Sequence, residues 1–186
     1  MVNHNDPRVI RTRHLIQDAF RELLKIKDFD AITIKDITQK ATINRATFYA
    51  HFEDKFALLD EITTLAFEDM LQDELLFTQK FTKDVCSQLL ELTYQYIIKF
   101  YRTCKYDSKS ISGQVDGRIR QLLYSTIESF LKNTDLPIDH EIHANMISAA
   151  LYNAAYYWYD SKKGDDISEL SDIVTRFVMN GLEISH

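Results

Sequence analysis

Thr33-Ile34-Lys35-Asp36-Ile37-Thr38-Gln39-Lys40-Ala41-Thr42-Ile43-Asn44-Arg45-Ala46-Thr47-Phe48-Tyr49-Ala50-His51-Phe52 is the stretch that decides the fold. Thr33 with an acidic residue three positions on reads as a helix start, so the spacing predicts a short helix from Ile34 to about Lys40. Ala41-Thr42-Ile43 is a turn, and Asn44 is a good cap for a second short helix, Arg45 to about Phe52. Phe48 and Phe52 share one face of it. Two short capped helices across a tight turn predict a helix-turn-helix, with small Ala41 letting them cross closely.

On the N-terminal side, Ile16, Ala19, Phe20, Leu23 and Leu24 fall at offsets 0, 3, 4, 7 and 8, which predicts an amphipathic helix from about Pro7 to Lys27. Asp28-Phe29-Asp30 breaks it. If Ile37, Ala41, Ile43, Phe48 and Phe52 pack inward against Ile16, Phe20 and Leu23, the opposite face of the last short helix stays outside. Ala46 and Ala50 then point outward, with Thr47 and Tyr49 on the flanks. Such a small, hydrogen-bonding face can sink into a major groove, where Arg45 and Thr47 reach base edges or phosphates and Tyr49, His51 and Lys55 grip the backbone. From charge alone, the same cations also fit a solvated helix face.

The chain of 186 residues is 45% apolar and 27% charged, with four Gly and two Pro, a composition that excludes disorder and collagen-like repeats. So few glycines disfavour a strand-and-turn fold, so the expectation is all-α, with about nine helices. No apolar run is long enough for a membrane span, and Met1 to Pro7 lacks the apolar middle of a secretory signal, so a cytoplasmic protein is expected. Cys86 and Cys104 match no metal-ligand spacing and read as buried free thiols. The net charge of −6 hides an asymmetry: residues 1 to 55 carry ten Lys/Arg against eight Asp/Glu, the rest twelve against twenty. The cations sit where the helix-turn-helix does, and Arg8, Arg11 and Arg13 crowd its N-terminal side.

At Thr33-Ile34-Lys35-Asp36-Ile37, at Ala41 through Phe52 and at Asp54-Lys55, the chain resembles the tetracycline-repressor (TetR) family of bacterial transcription regulators. The resemblance runs over about Arg8 to Leu59, and Thr-Phe-Tyr-x-His-Phe followed shortly by Lys is its most specific part. It implies a three-helix DNA-binding head whose third helix enters the major groove, and a helical body that dimerises and often holds an effector pocket. On matching positions it implies Thr33 as a cap whose helix N-terminus faces a phosphate, Arg45 and Thr47 as groove contacts, and Tyr49, His51 and Lys55 as phosphate contacts. With Asn44 and Ala46 on the same helix, these are the expected DNA-binding residues. Thr42 departs from the pattern, standing where such proteins commonly have Gly, so a slightly strained or differently shaped turn is expected.

Residues 1–55 are thus expected to form the DNA-binding domain and 56–186 an effector-binding and dimerisation domain. A long helix from Asp54 or Lys55 through Phe77 opens the second part, and Val85, Leu89, Leu92, Tyr96 and Ile97 mark another helix ending near Cys104. Residues 105 to 117, with Lys, Ser, Asp and two glycines, read as a loop or a weak short helix. Arg118 to Lys132 is helical, and Asn133 to Pro137 stops it. Asp139 to Asp160 and a last helix starting with Asp166 and Glu169 carry the expected homodimer interface: Ala150, Ala154, Tyr157, Val174, Phe177, Val178 and Gly181. An internal hairpin packed on the protomer core has the same periodicity. Phe67, Met70, Leu71, Tyr94, Tyr101, Tyr124 and Phe130 either wall a pocket for an apolar or aromatic small molecule or fill the core.

Enzyme chemistry has little to stand on. His140 and His143 are spaced to chelate, but no third ligand follows, and there is no glycine-rich phosphate loop or nucleophile elbow. No metal, cofactor or catalytic residue is expected. The expected function is a dimeric repressor that binds an inverted-repeat operator in double-stranded DNA and is released by a small-molecule effector. The alternatives are an activator or co-regulator of the same fold acting with a protein partner, and a ligand or interaction module that does not bind DNA.

Overall fold

The computed structural model describes residues 6–75, 80–103, 109–134 and 137–182. Among these the chain is all-α, with no strand and eight helices: α1 (Pro7–Leu24), α2 (Ile34–Ala41), α3 (Arg45–His51), α4 (Lys55–Leu75), α5 (Lys83–Thr103), α6 (Lys109–Lys132), α7 (His140–Asp160) and α8 (Ser168–Gly181). The chain forms two compact units. One holds the residues up to Thr63 together with Phe100–Val115, and the other holds Thr64–Lys99 and the chain from Asp116 on.

In the first unit the Asp6 side chain caps α1 by accepting from the Arg8 amide at 2.8 Å, and Pro7 occupies a first-turn position where a missing N–H costs nothing. The helix ends at Leu24, slightly before the expected Lys27; the Ile26 and Lys27 amides bond back to the Leu23 carbonyl in a closing turn. Ile16, Phe20, Ile32, Ile37 and Phe48 are fully buried or nearly so, which makes the inward faces of α1, α2 and α3 one apolar core. Burying five such side chains contributes roughly 1.5–3 kcal/mol each.

The chain beyond the head departs from expectation in two places. Of the segment read as a loop or a weak short helix over 105–117, residues 105–108 lie outside the described residues and the rest belongs to the long helix α6, which runs unbroken through Gly113 and Gly117. Ile111, Val115, Ile119, Leu123, Ile127 and Leu131 recur every four residues and are all buried, and that stripe outweighs the weak helix propensity of two glycines. Both glycines lie on the solvent side. The expected capping box at the last helix does not form: Asp166 instead accepts from the Ser168 amide and hydroxyl, and α8 starts only at Ser168. The turn between α7 and α8 is held by the Gly164 carbonyl, which accepts from Tyr94 Oη at 2.6 Å and Trp158 Nε1 at 3.2 Å. With φ at +98°, this turn is a position where glycine fits without strain.

Cys86 is a buried free thiol, as expected, and burial pushes its pKa up to about 12. Cys104 and Phe77 lie outside the described residues. No described helix is long and apolar enough to cross a membrane.

Candidate nucleic-acid interface

The first short helix is built by reciprocal capping. Thr33 Oγ1 accepts from the Asp36 amide at 3.1 Å, while an Asp36 carboxylate oxygen accepts from the Thr33 amide at 2.9 Å and from its hydroxyl at 2.8 Å. Lys27 Nζ adds an ion pair at 3.1 Å. The Thr33 amide, then its hydroxyl, then Lys27 favour the ionised carboxylate and hold the Asp36 pKa down to about 2. The helix ends in a Schellman closure, with the Ile43 amide bonded to the Thr38 carbonyl at 3.0 Å. That closure needs a left-handed residue, and Thr42 supplies it at φ 55°, ψ 44°. The strain anticipated at this position is therefore present in the backbone.

α3 follows after two residues. Asn44 Oδ1 accepts from the Thr47 amide at 2.7 Å and the Thr47 hydroxyl at 3.0 Å, closing its N-terminus. Phe48 is fully buried, with Phe52 beside it at 5.9 Å between ring centroids. Arg45, Ala46, Tyr49 and Ala50 are exposed. Arg45 Nη2 donates to Tyr49 Oη at 3.2 Å and its guanidinium lies 5.6 Å from the Tyr49 ring, so the two side chains share one outer edge of the helix. Thr33, Asn44, Arg45, Ala46, Thr47 and Tyr49 thus all lie at the surface or partly exposed, on the two helix starts and the outer face of α3. His51 is half-buried at the end of α3.

Lys55 departs from this pattern. Its ammonium donates to the carbonyls of Phe29 at 2.8 Å, Ile32 at 2.9 Å and Asp30 at 3.3 Å, and it lies 4.4 Å from the centre of the Phe29 ring. All three of its N–H bonds are directed to carbonyls of the α1–α2 connection. Desolvation lowers its pKa, partly countered by Asp30.

A second arrangement was not anticipated. Arg13 on α1 donates to both carboxylate oxygens of Glu61 on α4, through Nε at 2.9 Å and through Nη2, and its Nη1 donates to the His51 carbonyl at 3.1 Å. Its guanidinium also covers the Phe52 ring at 4.4 Å. Gln17 Nε2 donates to Glu61 Oε1 at 2.7 Å. One arginine therefore ties α1 and α4 to the C-terminal end of α3. Gln17 is buried one position from Ile16 on the otherwise apolar inward face of α1.

In the second unit, α7 and α8 leave an apolar surface uncovered. Met146 and Tyr157 are each 62% exposed and Phe177 is 68% exposed. Met146, Ala149, Ala150, Phe177, Val178 and Gly181 line a groove of about 440 Å³ between the two helices. Of the expected interface residues, Ala150, Ala154, Tyr157, Phe177 and Gly181 are at least partly accessible. Val174 and Val178 are buried within the protomer, with Val178 among the residues that line the groove. Phe67 is buried in ring contact with Tyr96 at 5.8 Å, and the Tyr94 hydroxyl is spent on Gly164. Met70, Leu71 and Phe130 are half-buried, and Tyr101, also half-buried, belongs to the first unit. Tyr124 lines a cleft of about 470 Å³ with Arg120, Gln121, Asn145, Ser148 and Ala149. His143 Nδ1 lies 2.7 Å from the Asp139 carbonyl, and among the described residues no group of three His, Cys, Asp or Glu side chains comes together to hold a metal.

The family described as "Bacterial regulatory proteins, tetR family" matches residues 16–62, which span the second half of α1, all of α2 and α3 and the start of α4. The HTH-type transcriptional regulator YxbF of Bacillus subtilis is 27% identical over 167 residues, covering 85% of this chain but only 42% of that protein. The dhaKLM operon transcriptional activator DhaS of Lactococcus lactis is 33% identical over 69 residues, 37% of each chain. The chain thus spans less than half the length of these two relatives in the aligned regions. IcaR of Staphylococcus aureus, the negative transcriptional regulator of the biofilm operon icaADBC, is 23% identical over 147 residues, 74% of this chain and 76% of that one. A solved DhaS structure superposes with a TM-score of 0.56 at 19% identity, over 94% of this chain and 98% of that one, which establishes a common fold. With a helix-turn-helix built as described and this match across it, residues 16–62 form a helix-turn-helix domain of the tetR regulatory-protein type, in a chain whose relatives are HTH-type transcriptional regulators.

Proposed function

We propose that the chain is a homodimeric, sequence-specific repressor that binds an inverted-repeat operator and is released by an apolar or aromatic small molecule. The observation that carries the reading is the outer face of α3: small Ala46 and Ala50 flanked by exposed Arg45 and Tyr49, on a helix anchored from behind by buried Phe48. A small-faced helix can approach the floor of a major groove, so Arg45 and Thr47 act at base edges. Tyr49, Thr33 with the α2 N-terminus, and the His51 end of α3 act at phosphates. Asn44 holds the Thr47 backbone, and Ala46 gives clearance. Residues 1–55 carry DNA binding, and residues 56–186 carry dimerisation and effector response.

The dimer rests on the exposed α7 and α8 surface around Met146, Tyr157 and Phe177, because apolar side chains of that size and exposure mark a face that a partner covers. A two-fold pairing presents two copies of α3 to two half-sites, hence the inverted repeat. The repressor sign follows IcaR, the relative aligned over most of both chains. An activator is the second reading, favoured by DhaS, whose similarity in sequence is confined to 69 residues. Effector release rests on the aromatic and thioether surplus of the second unit, with Tyr124 lining the cleft beside α7. The site of action is the cytoplasm.

The test is duplex selection from a random library with the purified protein, followed by binding and sedimentation measurements. A dyad-symmetric consensus bound by a dimer is the expected result. A protein that selects no sequence, or that remains monomeric at micromolar concentration, overturns the reading. An effector must act reciprocally: a compound that weakens operator binding about tenfold must itself bind about tenfold less tightly to the protein–operator complex.

A further inference from the structure

α6 and α7 face each other across the cleft of about 470 Å³, and the hydrogen-bonding capacity of its walls is unevenly spent. Arg120 Nη2 donates to Asn153 Oδ1 at 2.9 Å, and the guanidinium lies 4.6 Å from the centre of the Tyr152 ring. These contacts fix the group but use one of its five N–H bonds. No carboxylate among the described residues forms an ion pair with it. Burial raises the pKa of Asp116, one turn back on α6, and the Arg120 charge offsets only part of that shift. Gln121 Oε1 accepts from Arg118 Nη1 at 3.1 Å, which leaves the Gln121 amide N–H bonds to donate. The Asn145 side chain, exposed on the α7 wall, makes no hydrogen bond among the described residues. Ser148 and Tyr124 have spent their protons: the Ser148 hydroxyl donates to the Asn145 carbonyl at 2.9 Å and the Tyr124 hydroxyl to Glu128 Oε1 at 3.2 Å.

The cleft therefore offers a surplus of donors around one positive charge, beside an apolar wall made by the Tyr124 ring and Ala149. A planar carboxylate matches the fork of a guanidinium, and an apolar body matches the wall. Tyr124 and Asn145 also line a second cleft of about 360 Å³, where Ile142 and Met146 extend the apolar surface and Glu141 opposes a second negative charge. We propose that the α6–α7 cleft binds a small monocarboxylate with an apolar or aromatic body, its carboxylate received by Arg120, Gln121 and Asn145 and its body lying against Tyr124 and Ala149. This rests on the reading that a small molecule releases the operator, and narrows it to a chemical class and a place. Asn145 and Ala149 line the α7–α8 groove as well, so the ligand bears on the same helix as the proposed dimer partner.

The experiment follows binding of para-fluorobenzoate to the purified protein by fluorine NMR, with para-fluorobenzamide as the uncharged isostere and octanoate and inorganic phosphate as competitors. The acid is expected to bind, and the amide to bind about tenfold more weakly, because it lacks the charge-assisted pair of hydrogen bonds. Arg120→Gln is expected to weaken the acid about tenfold and leave the amide unmoved. Asn145→Ala removes a side chain that has no partner to lose and is expected to weaken the acid about threefold, which keeps the comparison decisive if Arg120→Gln does not fold. Displacement by octanoate upholds the proposal for aliphatic and aromatic bodies alike, and no displacement upholds it for aromatic acids. Absence of binding, equal affinity for acid and amide, or displacement by phosphate as readily as by unlabelled benzoate, the mark of an unselective cationic patch, overturns it. Operator affinity measured alongside separates the two readings. An acid that binds at Arg120 and leaves operator affinity unchanged overturns effector release through the cleft while the binding site stands. A neutral apolar compound that releases the operator without displacing para-fluorobenzoate upholds effector release and overturns the cleft as its seat.

Discussion

Arg13 and Glu61 face each other as a two-pronged ion pair, both carboxylate oxygens bonded to one guanidinium whose remaining terminal nitrogen holds the His51 carbonyl. Both side chains are about three-quarters removed from solvent, at 23% and 27% exposure. A bidentate pair in that setting differs from a freely solvated one, which contributes little. Glu61→Ala leaves the guanidinium short of its main partner and is expected to destabilise the protein by about 1–3 kcal/mol. Urea unfolding of Glu61→Ala, Arg13→Leu and the double variant reads the coupling; strictly additive losses would show that the pair does not act as a unit. Because the same guanidinium holds the end of α3, operator affinity is expected to fall with either single change.

Two backbone positions are occupied by residue types that local propensity disfavours, in opposite senses. Thr42 is β-branched in a left-handed turn, so Thr42→Gly is expected to stabilise by about 1 kcal/mol, raising Tm by about 2–4 °C. Gly113 and Gly117 are in the solvent-facing side of α6, where an added Cβ meets nothing within 4 Å. Gly113→Ala and Gly117→Ala are each expected to add about 1 kcal/mol. A thermal melt that moves down for any of the three contradicts the local geometry given above.

The α2 capping box carries a pH dependence. The Asp36 pKa is lowered from 3.8 to about 2 in the folded protein, so its contribution is fully present above the ordinary carboxylate range and is lost as pH falls through about 2. An NMR titration of the Asp36 carboxyl resonance is expected to show no midpoint near 3.8. In Thr33→Val, which removes the hydroxyl but keeps the backbone amide, the midpoint is expected to rise.

Phe177 separates dimerisation from folding. Its side chain is 68% exposed in the protomer, so Phe177→Asp costs the isolated fold little while placing an unpaired charge in the proposed interface. Sedimentation is expected to show a folded monomer. Ala150→Glu, on the same groove, is expected to act likewise, and Val178→Asp, buried within the protomer, is expected to unfold the chain instead. A Phe177→Asp protein that still sediments as a dimer moves the interface elsewhere.

What the sequence determined by itself is what depends on neighbours in the chain. The caps at Thr33 and Asn44 act over three residues, and the turn at Thr42 closes over five. The core faces of α1 and α3 repeat with the helix period. All of these were legible, together with the family of the helix-turn-helix domain, because short-range hydrogen bonds and periodicity are written in the order of residues. At α6, residues 109–117 were misread because two glycines and several polar residues looked like a loop or a weak short helix while the buried stripe of Ile111 and Val115 was continuous with Ile119. Only the tertiary structure decided the partners of long, flexible cations. Arg13 meets Glu61 across 48 positions, and Lys55 meets the Ile32 carbonyl across 23. A Lys or Arg side chain can swing to any acceptor within its reach, and its sequence neighbours do not name that acceptor. The same holds for Val174 and Val178 against Phe177: three apolar residues on one helix read alike, and only the packing of α8 in the second unit turned two of them inward and left the third on the surface.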